Sequence, residues 1–270
     1  MAQDIVVLDS VVLLTEANEG CVAFCASHGG DYAGYFAAKM GVAAVILNDA
    51  GIGKEAAGLA GVKMLDGLGV PSATVSHQSA RIGDGKDGAE RGVLSFVNAA
   101  GAAQGLTVGM ACAEALQLLA AKDLAPSPKP APLTEARFEH AARANPDTKI
   151  IVMDSISLVR PGDEGHIAVA ASHGAVLGRN PEIGVSFPLL ASISVDADRG
   201  IDDAGISRLP ALDRHGIAGA CASAFSARIG DGRSLYEDGI ISALNDTARA
   251  RGAQIGMRVA DLAELFAAKA

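Results

Sequence analysis

Ser79-Ala80-Arg81-Ile82-Gly83-Asp84-Gly85 returns, letter for letter, as Ser226-Ala227-Arg228-Ile229-Gly230-Asp231-Gly232. Outward from this pair, residues 4–29 align with residues 149–174 at a constant offset of 145, with 12 identities in 26 positions. The heptapeptides pair at an offset of 147, so the second copy carries a two-residue insertion between the two blocks. Self-similarity on this scale is the mark of a duplicated unit. It predicts two lobes, residues 1–121 and 149–270. The connecting residues 122–148 contain Ala125-Pro126-Ser127-Pro128-Lys129-Pro130-Ala131-Pro132, an extended linker composition, followed by an expected short helix over 134–144.

Within each lobe the hydrophobic pattern alternates between strand and helix. Residues 4–9, 11–15 and 21–27 read as strands, and the Pro161-Gly162-Asp163 turn of the second copy suggests that an N-terminal hairpin joins the last two. Residues 21–27 and 166–172 are continuously apolar, as strands covered on both faces are. A helix over 31–40, a strand over 43–47, a helix over 54–68 and a strand over 70–76 follow. Further helices are expected over 87–104 and 235–251, the second opened by a Ser234 to Glu237 capping box, and after Gly109-Met110 and Gly256-Met257. The β-α-β-α-β order implies parallel strands with right-handed crossovers. The fold class is therefore α/β: two pseudo-symmetric lobes, each a mainly parallel sheet with flanking helices and an N-terminal hairpin.

Composition narrows the function classes. Half of the 270 residues are hydrophobic, yet no apolar run approaches the roughly 20 residues that span a bilayer. With no basic, apolar leader at the N-terminus, a cytoplasmic protein that does not bind membranes is expected. A net charge of −9, a pI near 5.1 and 4% aromatic residues argue against a nucleic-acid partner, which needs a basic surface or stacking platforms. Cys21, Cys25, Cys112 and Cys221 lie in apolar contexts and read as small buried hydrophobes, not as a disulfide frame or zinc site. No compact His/Asp/Glu pattern suggests a metal, and neither a metal nor another cofactor is expected. Ala- and Gly-rich helices suggest packing between subunits of a homo-oligomer.

Ligands of open parallel sheets bind beyond the carboxyl ends of the strands, near a switch in strand order. Three polar clusters fall at such ends. Ser27-His28-Gly29-Gly30 offers an imidazole as general acid or base, with glycine amides for an oxyanion. Asn48-Asp49-Ala50-Gly51-Ile52-Gly53-Lys54 joins strand to helix through glycines and ends in a lysine, a geometry suited to an anion. Ser79, Arg81 and Asp84, with Arg228 and Asp231 in the second copy, can hold a carboxylate, or can lock loops for folding reasons alone. His77 and Lys54 face Ala224 and Ile201 in the second copy, so with His28 they are the expected catalytic residues. The expected function is an enzyme acting on a small anionic, carbonyl-containing metabolite between the lobes. Hydrolysis of an amide or lactone is the leading class, with a lyase, an isomerase or a non-catalytic anion-binding protein as alternatives.

Overall fold

The structure, a computed structural model, describes residues 2–178 and 187–270. The first half builds a five-stranded sheet from β1 (Ile5–Leu8), β2 (Val22–His28), β3 (Ala44–Asn48), β4 (Ser72–Val75) and β5 (Leu94–Val97). Helices α1 (Asp31–Lys39), α2 (Ala60–Gly67), α3 (Gly85–Arg91), α4 (Ala99–Ala103) and α5 (Cys112–Ala120) flank it. The second half has β6 (Arg137–Ala141), β7 (Lys149–Met153), β8 (Ile167–His173), β9 (Ala191–Val195), β10 (Ala218–Ala222) and β11 (Ile241–Leu244) in a six-stranded sheet. Its helices are α6 (Leu209–Arg214), α7 (Gly232–Asp238), α8 (Asp246–Ala250) and α9 (Val259–Ala267).

Both sheets run in sequential strand order, parallel from β1 to β4 and from β7 to β10, with antiparallel edges at β5, β6 and β11. The central strands alternate between two cores, as period-two side chains must. Val22, Phe24 and Ala26 pack with Leu116 and Leu119 of α5, while Ala23 and Cys25 pack with Ala37 of α1 and Leu65 of α2. In the second sheet Ile150, Val152, Ile167 and Val169 meet Leu262 and Phe266 of α9, and Ile151, Met153 and Ala168 meet Leu209 and Leu212 of α6. The larger of these cores also takes in Ala50, Ala57 and Ile82 from the first half.

Five expectations change. The N-terminal hairpins are absent: β1 pairs parallel with β2 and β7 with β8, and the intervening Val11–Leu13 and Ile156–Leu158 are 3-10 turns. The Ser27 and Ser172 hydroxyls accept the Val11 and Ile156 amides at 2.9 Å and hold these crossovers against the sheet. The helices expected over 87–104 and 235–251 each divide into helix, strand and helix, because Gly92 and Gly239 end the first and Asn98 and Asn245 cap the next. In the second of them the N-cap is Asp231, whose carboxylate accepts the Ser234 amide, so no capping box starts at Ser234. The helix expected over 134–144 is β6, an edge strand whose register against β7 is set by alternating contacts from Arg137 to Ala141. The helix expected over 54–68 begins as a 3-10 turn broken by left-handed Glu55 and Ala56. Finally, sequential strand order leaves no switch point, so any cleft has to form between the sheets.

The carboxyl ends of the two sheets meet. The Lys54 amide donates to Ala224 O and the Ile201 amide to His77 O, both at 2.8 Å, a reciprocal pair at the offset of the heptapeptides. Each loop enters this contact through a left-handed run, Ala50 to Gly53 and Ala197 to Gly200. Such backbone is costly outside glycine. Each run ends on a glycine that the contact requires, since a Cβ on Gly53 or on Gly200 would lie 2.8 Å from the partner carbonyl. Among the described residues no helix is long and apolar enough to cross a membrane.

Candidate functional site

The twin heptapeptides clamp the halves. Arg81 pairs with Asp202 at 2.7 Å, and Arg228 pairs with Glu55 at 3.0 Å. Asp84 and Asp231 cap α3 and α7, and Asp231 also pairs with Arg228. Ser79 Oγ donates to Ser76 O and accepts the Val93 amide. These contacts fit a folding role for the motif, and Arg228 and Asp231 also line an outer cavity of about 580 Å³.

The expected anion cradle is filled by the protein itself. Asn48 is fully buried, with Oδ1 accepting the Ala50 amide and Nδ2 donating to Ala80 O. Gly51 N donates to Asp49 Oδ1, Gly53 N to Gly51 O, and Lys54 Nζ reaches Asp238 at 2.8 Å. Gly29 N donates to Asn48 O and Gly30 N to His28 Nδ1, so neither is free for an oxyanion. His77 stands between two carboxylates: Nδ1 is 2.8 Å from Asp49 and Nε2 is 3.0 Å from Asp198 of the second half. Burial works against charge on this ring, but the hydrogen bond and charge of Asp49, joined by Asp198, outweigh it and raise the His77 pKa. Both ring nitrogens are taken, which makes His77 a lock between the halves.

Of the residues expected from sequence, only Ser27 and His28 reach the cavity where chemistry is open. This cavity, of about 220 Å³, lies between the halves and is lined by His28, Tyr32, Glu135, His173 and Arg208 among others. His28 and His173 end β2 and β8 immediately after matched irregularities in pairing, at Phe24/His28 and Val169/His173. Extra residues of this kind re-aim a side chain relative to its strand. Each Nδ1 accepts a backbone amide, from Gly30 at 3.2 Å and from Ala175 at 3.3 Å. A neutral ring then carries its proton on Nε2. Burial lowers the His28 pKa to about 4, and burial with the charge of Arg208 lowers that of His173 well below the ordinary value. Both are neutral donors at pH 7, so the expected general-base role of His28 does not fit its environment.

Arg208 supplies the charge. It is 5% exposed, and its Nη2 donates to Ala175 O at 2.8 Å. Its Nε and Nη1 are buried with no hydrogen-bond partner. Burial pushes its pKa down to about 10, which leaves it cationic at neutral pH. An unmatched buried cation is expensive, and a carboxylate or comparable anion would satisfy it. Glu135 and Tyr32 close the opposite approach and also line the outer cavity of about 580 Å³. Burial and the nearby Asp154 raise the Glu135 pKa to about 7, against hydrogen bonds from Tyr32 and Ser155.

No family model, curated protein sequence or solved structure matches the chain. The reading of the site therefore rests on its own residues.

His173, Arg208, Tyr32 and Glu135 are the members that sequence reasoning passed over. For His173 the signal was present, since Ser172-His173-Gly174 repeats Ser27-His28-Gly29. For Arg208 it was present but indirect. Carried along the 147 offset, an arginine stands where the first copy has Gly61, at the head of a buried helix. Glu135 lies in the connecting segment, outside both copies, where no pattern marks it. The four cysteines are buried and free, and burial pushes the Cys112 and Cys221 thiols up to about 12, far from a reactive thiolate.

Proposed function

We propose that this protein is an enzyme that hydrolyses an amide or lactone bond in a small carboxylate-bearing metabolite, within the cavity between the halves. The observation that carries the reading is Arg208, which lines that cavity, is 5% exposed, and among the described residues has two buried nitrogens without acceptors. A carboxylate on Arg208 anchors the ligand. Two neutral imidazoles, each with Nε2–H as its remaining donor, favour a carbonyl whose oxygen gains charge when the carbon is attacked. A plain carrier of anions has no need of such a pair. The cavity is below the roughly 300 Å³ at which drug-sized pockets begin, which favours a compact metabolite.

Water is the favoured nucleophile. Of the serines that line the cavity, Ser27 and Ser172 accept backbone amides, Ser10 lies 3.3 Å from Ser27 and Ser155 bonds Ser157 at 2.8 Å; among the described residues no lysine lines it, and the thiols lie in the cores. The test is a screen of small carboxylates that also carry an amide or lactone, succinamate and 5-oxoproline included, read by calorimetric binding and by pH-stat. Saturable turnover that Arg208→Met weakens through KM supports the reading. Absence of binding or turnover across the panel, in protein that is folded, refutes it.

A further inference from the structure

We propose that Glu135, supplied by the segment between the two halves, is the residue that carries the proton at this site. The inference rests on the hydrolytic reading above and adds the catalytic group that reading lacks. The imidazoles cannot serve, because each Nδ1 is committed to a backbone amide and each ring is held neutral as a donor. Asp154 also lines the cavity, but its oxygens are occupied: Oδ1 accepts the Gly232 amide at 2.9 Å and Oδ2 the Ala136 amide at 2.6 Å. The second of these bonds fixes the residue next to Glu135 and so aims it.

Four further facts support the role. Glu135 borders both the inner and the outer cavity, so its carboxyl can meet a bound ligand on one side and exchange protons with water on the other. Tyr32 from α1 and Asp154 and Ser155 after β7 act on it directly; Asp31, Glu55, Arg228, Asp231 and Arg233 share the wall of the outer cavity and His28, His173 and Arg208 that of the inner one, and no cation pairs with it among the described residues. Its pKa of about 7 lets both protonation states be populated near neutrality, the condition under which one group can act first as base and then as acid. The position breaks the pseudo-symmetry. Asp9, the counterpart of Asp154 in the first copy, accepts the Gly85 amide and, among the described residues, no second backbone amide.

In the first step the Glu135 carboxylate takes a proton from water as the water oxygen bonds to the carbonyl carbon. The carbonyl π pair moves onto its oxygen, which the imidazole N–H groups hold. In the second step that pair re-forms the double bond and the C–N or C–O bond breaks. The leaving nitrogen or oxygen takes the electron pair of that bond together with the proton from Glu135, which restores the carboxylate. One water is added across the bond, and no oxidant or metal is consumed.

The test compares wild type with Glu135→Gln on whichever panel compound wild type turns over, reading binding and turnover separately. Binding within twofold of wild type with turnover reduced about a hundredfold or more is expected. The acidic limb of the kcat profile near pH 7 should vanish in Glu135→Gln, and formate should partly restore turnover to Glu135→Ala. Undiminished turnover in Glu135→Gln, with binding intact, overturns the role of Glu135 while leaving the hydrolytic reading in place. Loss of binding and melting temperature together, with no rescue by formate, assigns Glu135 to structure and also overturns it. A wild type that binds or turns over none of the panel removes both proposals.

Discussion

The first half of the molecule and the second place the same histidine at the end of the same strand, but only the second half backs it with a buried charge. His28 and His173 share their bulged pairing, their backbone-bonded Nδ1 and their depressed pKa values. Behind His28, helices α1 and α2 close on glycine, and a Cβ on Gly61 would lie 2.3 Å from Gly30 O. The corresponding place in the second half holds Arg208, with two nitrogens that no group among the described residues satisfies. What the halves share frames the cavity and holds it shut; what they do not share decides which way a ligand lies in it. On the proposed hydrolytic reading, a carboxylate would lie on the second-half side, with the reacting bond toward Tyr32 and Glu135.

Arg208→Met breaks this comparison most sharply, because it makes the second half as uncharged as the first. Affinity for succinamate should fall about a hundredfold or more, the loss expected when a desolvated charged contact is removed. Stability should move the other way. Deleting a buried cation that has no counter-ion, and filling its place with an apolar chain, should raise stability by about 1–4 kcal/mol. Calorimetry for binding and a thermal melt for stability read the two effects on one sample. A variant that loses stability as well as affinity would mean that Arg208 holds the fold rather than the ligand.

The paired imidazoles should make the protein acid-sensitive. In the unfolded chain a histidine takes a proton below about pH 6.5, whereas folded His28 resists until about 4. The unfolded state therefore binds more protons across that window, and stability falls as pH drops from 6.5 to 4, by about 3 kcal/mol for His28 alone. His173, whose pKa lies well below the ordinary value, adds to the loss. His28→Gln should flatten the slope of urea midpoint against pH, and the double variant with His173→Gln should flatten it further. An unchanged slope in the double variant would show that neither ring is held neutral.

The self-similarity within the sequence made the fold readable. Identical letters at a fixed offset fixed two matching sheets, and continuous apolar runs fixed their central strands. The sequence misled where local pattern and tertiary pairing disagree. Residues 94–97 and 241–244 lie inside helix-like runs but are edge strands, because Gly92 and Gly239 break the helix and β4 and β10 present free edges. At the site, polarity was taken as a sign of function, yet Asn48, Asp49, Lys54 and Arg81 spend their polar groups on loops and on the seam between the halves. The residues that remain unsatisfied are the informative ones. Arg208 becomes visible only when burial and partners are known, since sequence shows which groups are polar but not which are left without a partner, and Glu135 only when the cavity it borders is known.

His77 sharpens the comparison at the seam. The second half has Ala224 in its place, and both backbone amides bond to an aspartate, Asp49 and Asp196, but only the imidazole reaches across to the other half. Since the folded pKa is raised, the stability from this group is fully present below the unfolded value near 6.5 and is lost as pH rises through the higher folded one. His77→Ala should cost about 2 kcal/mol at pH 6, in the range of a charge-assisted hydrogen bond. The gap between wild type and variant should narrow by pH 9. A gap independent of pH would assign the contribution to packing alone.

The smallest effects belong to the heptapeptide arginines that first drew the eye. Arg81 with Asp202, and Arg228 with Glu55, cross the seam in opposite directions, but all four side chains are more than 40% exposed. Exposed pairs give little net stability, since water and salt screen them and ordering two long side chains offsets the attraction. Arg81→Ala and Arg228→Ala should each lower the melting midpoint by no more than a few degrees, and by less at 0.5 M salt than at low salt. The Arg81 variant should be the less costly, because Arg81 belongs to a four-member cluster in which Arg91 still holds Asp202 at 3.0 Å and Asp87 at 2.7 Å. If both variants instead unfold the protein, the clamps hold the halves together and the apolar core that runs through Ala50, Ala57 and Ile82 does not. Because that core is buried and continuous across the seam, the halves should stay joined when both arginines are gone.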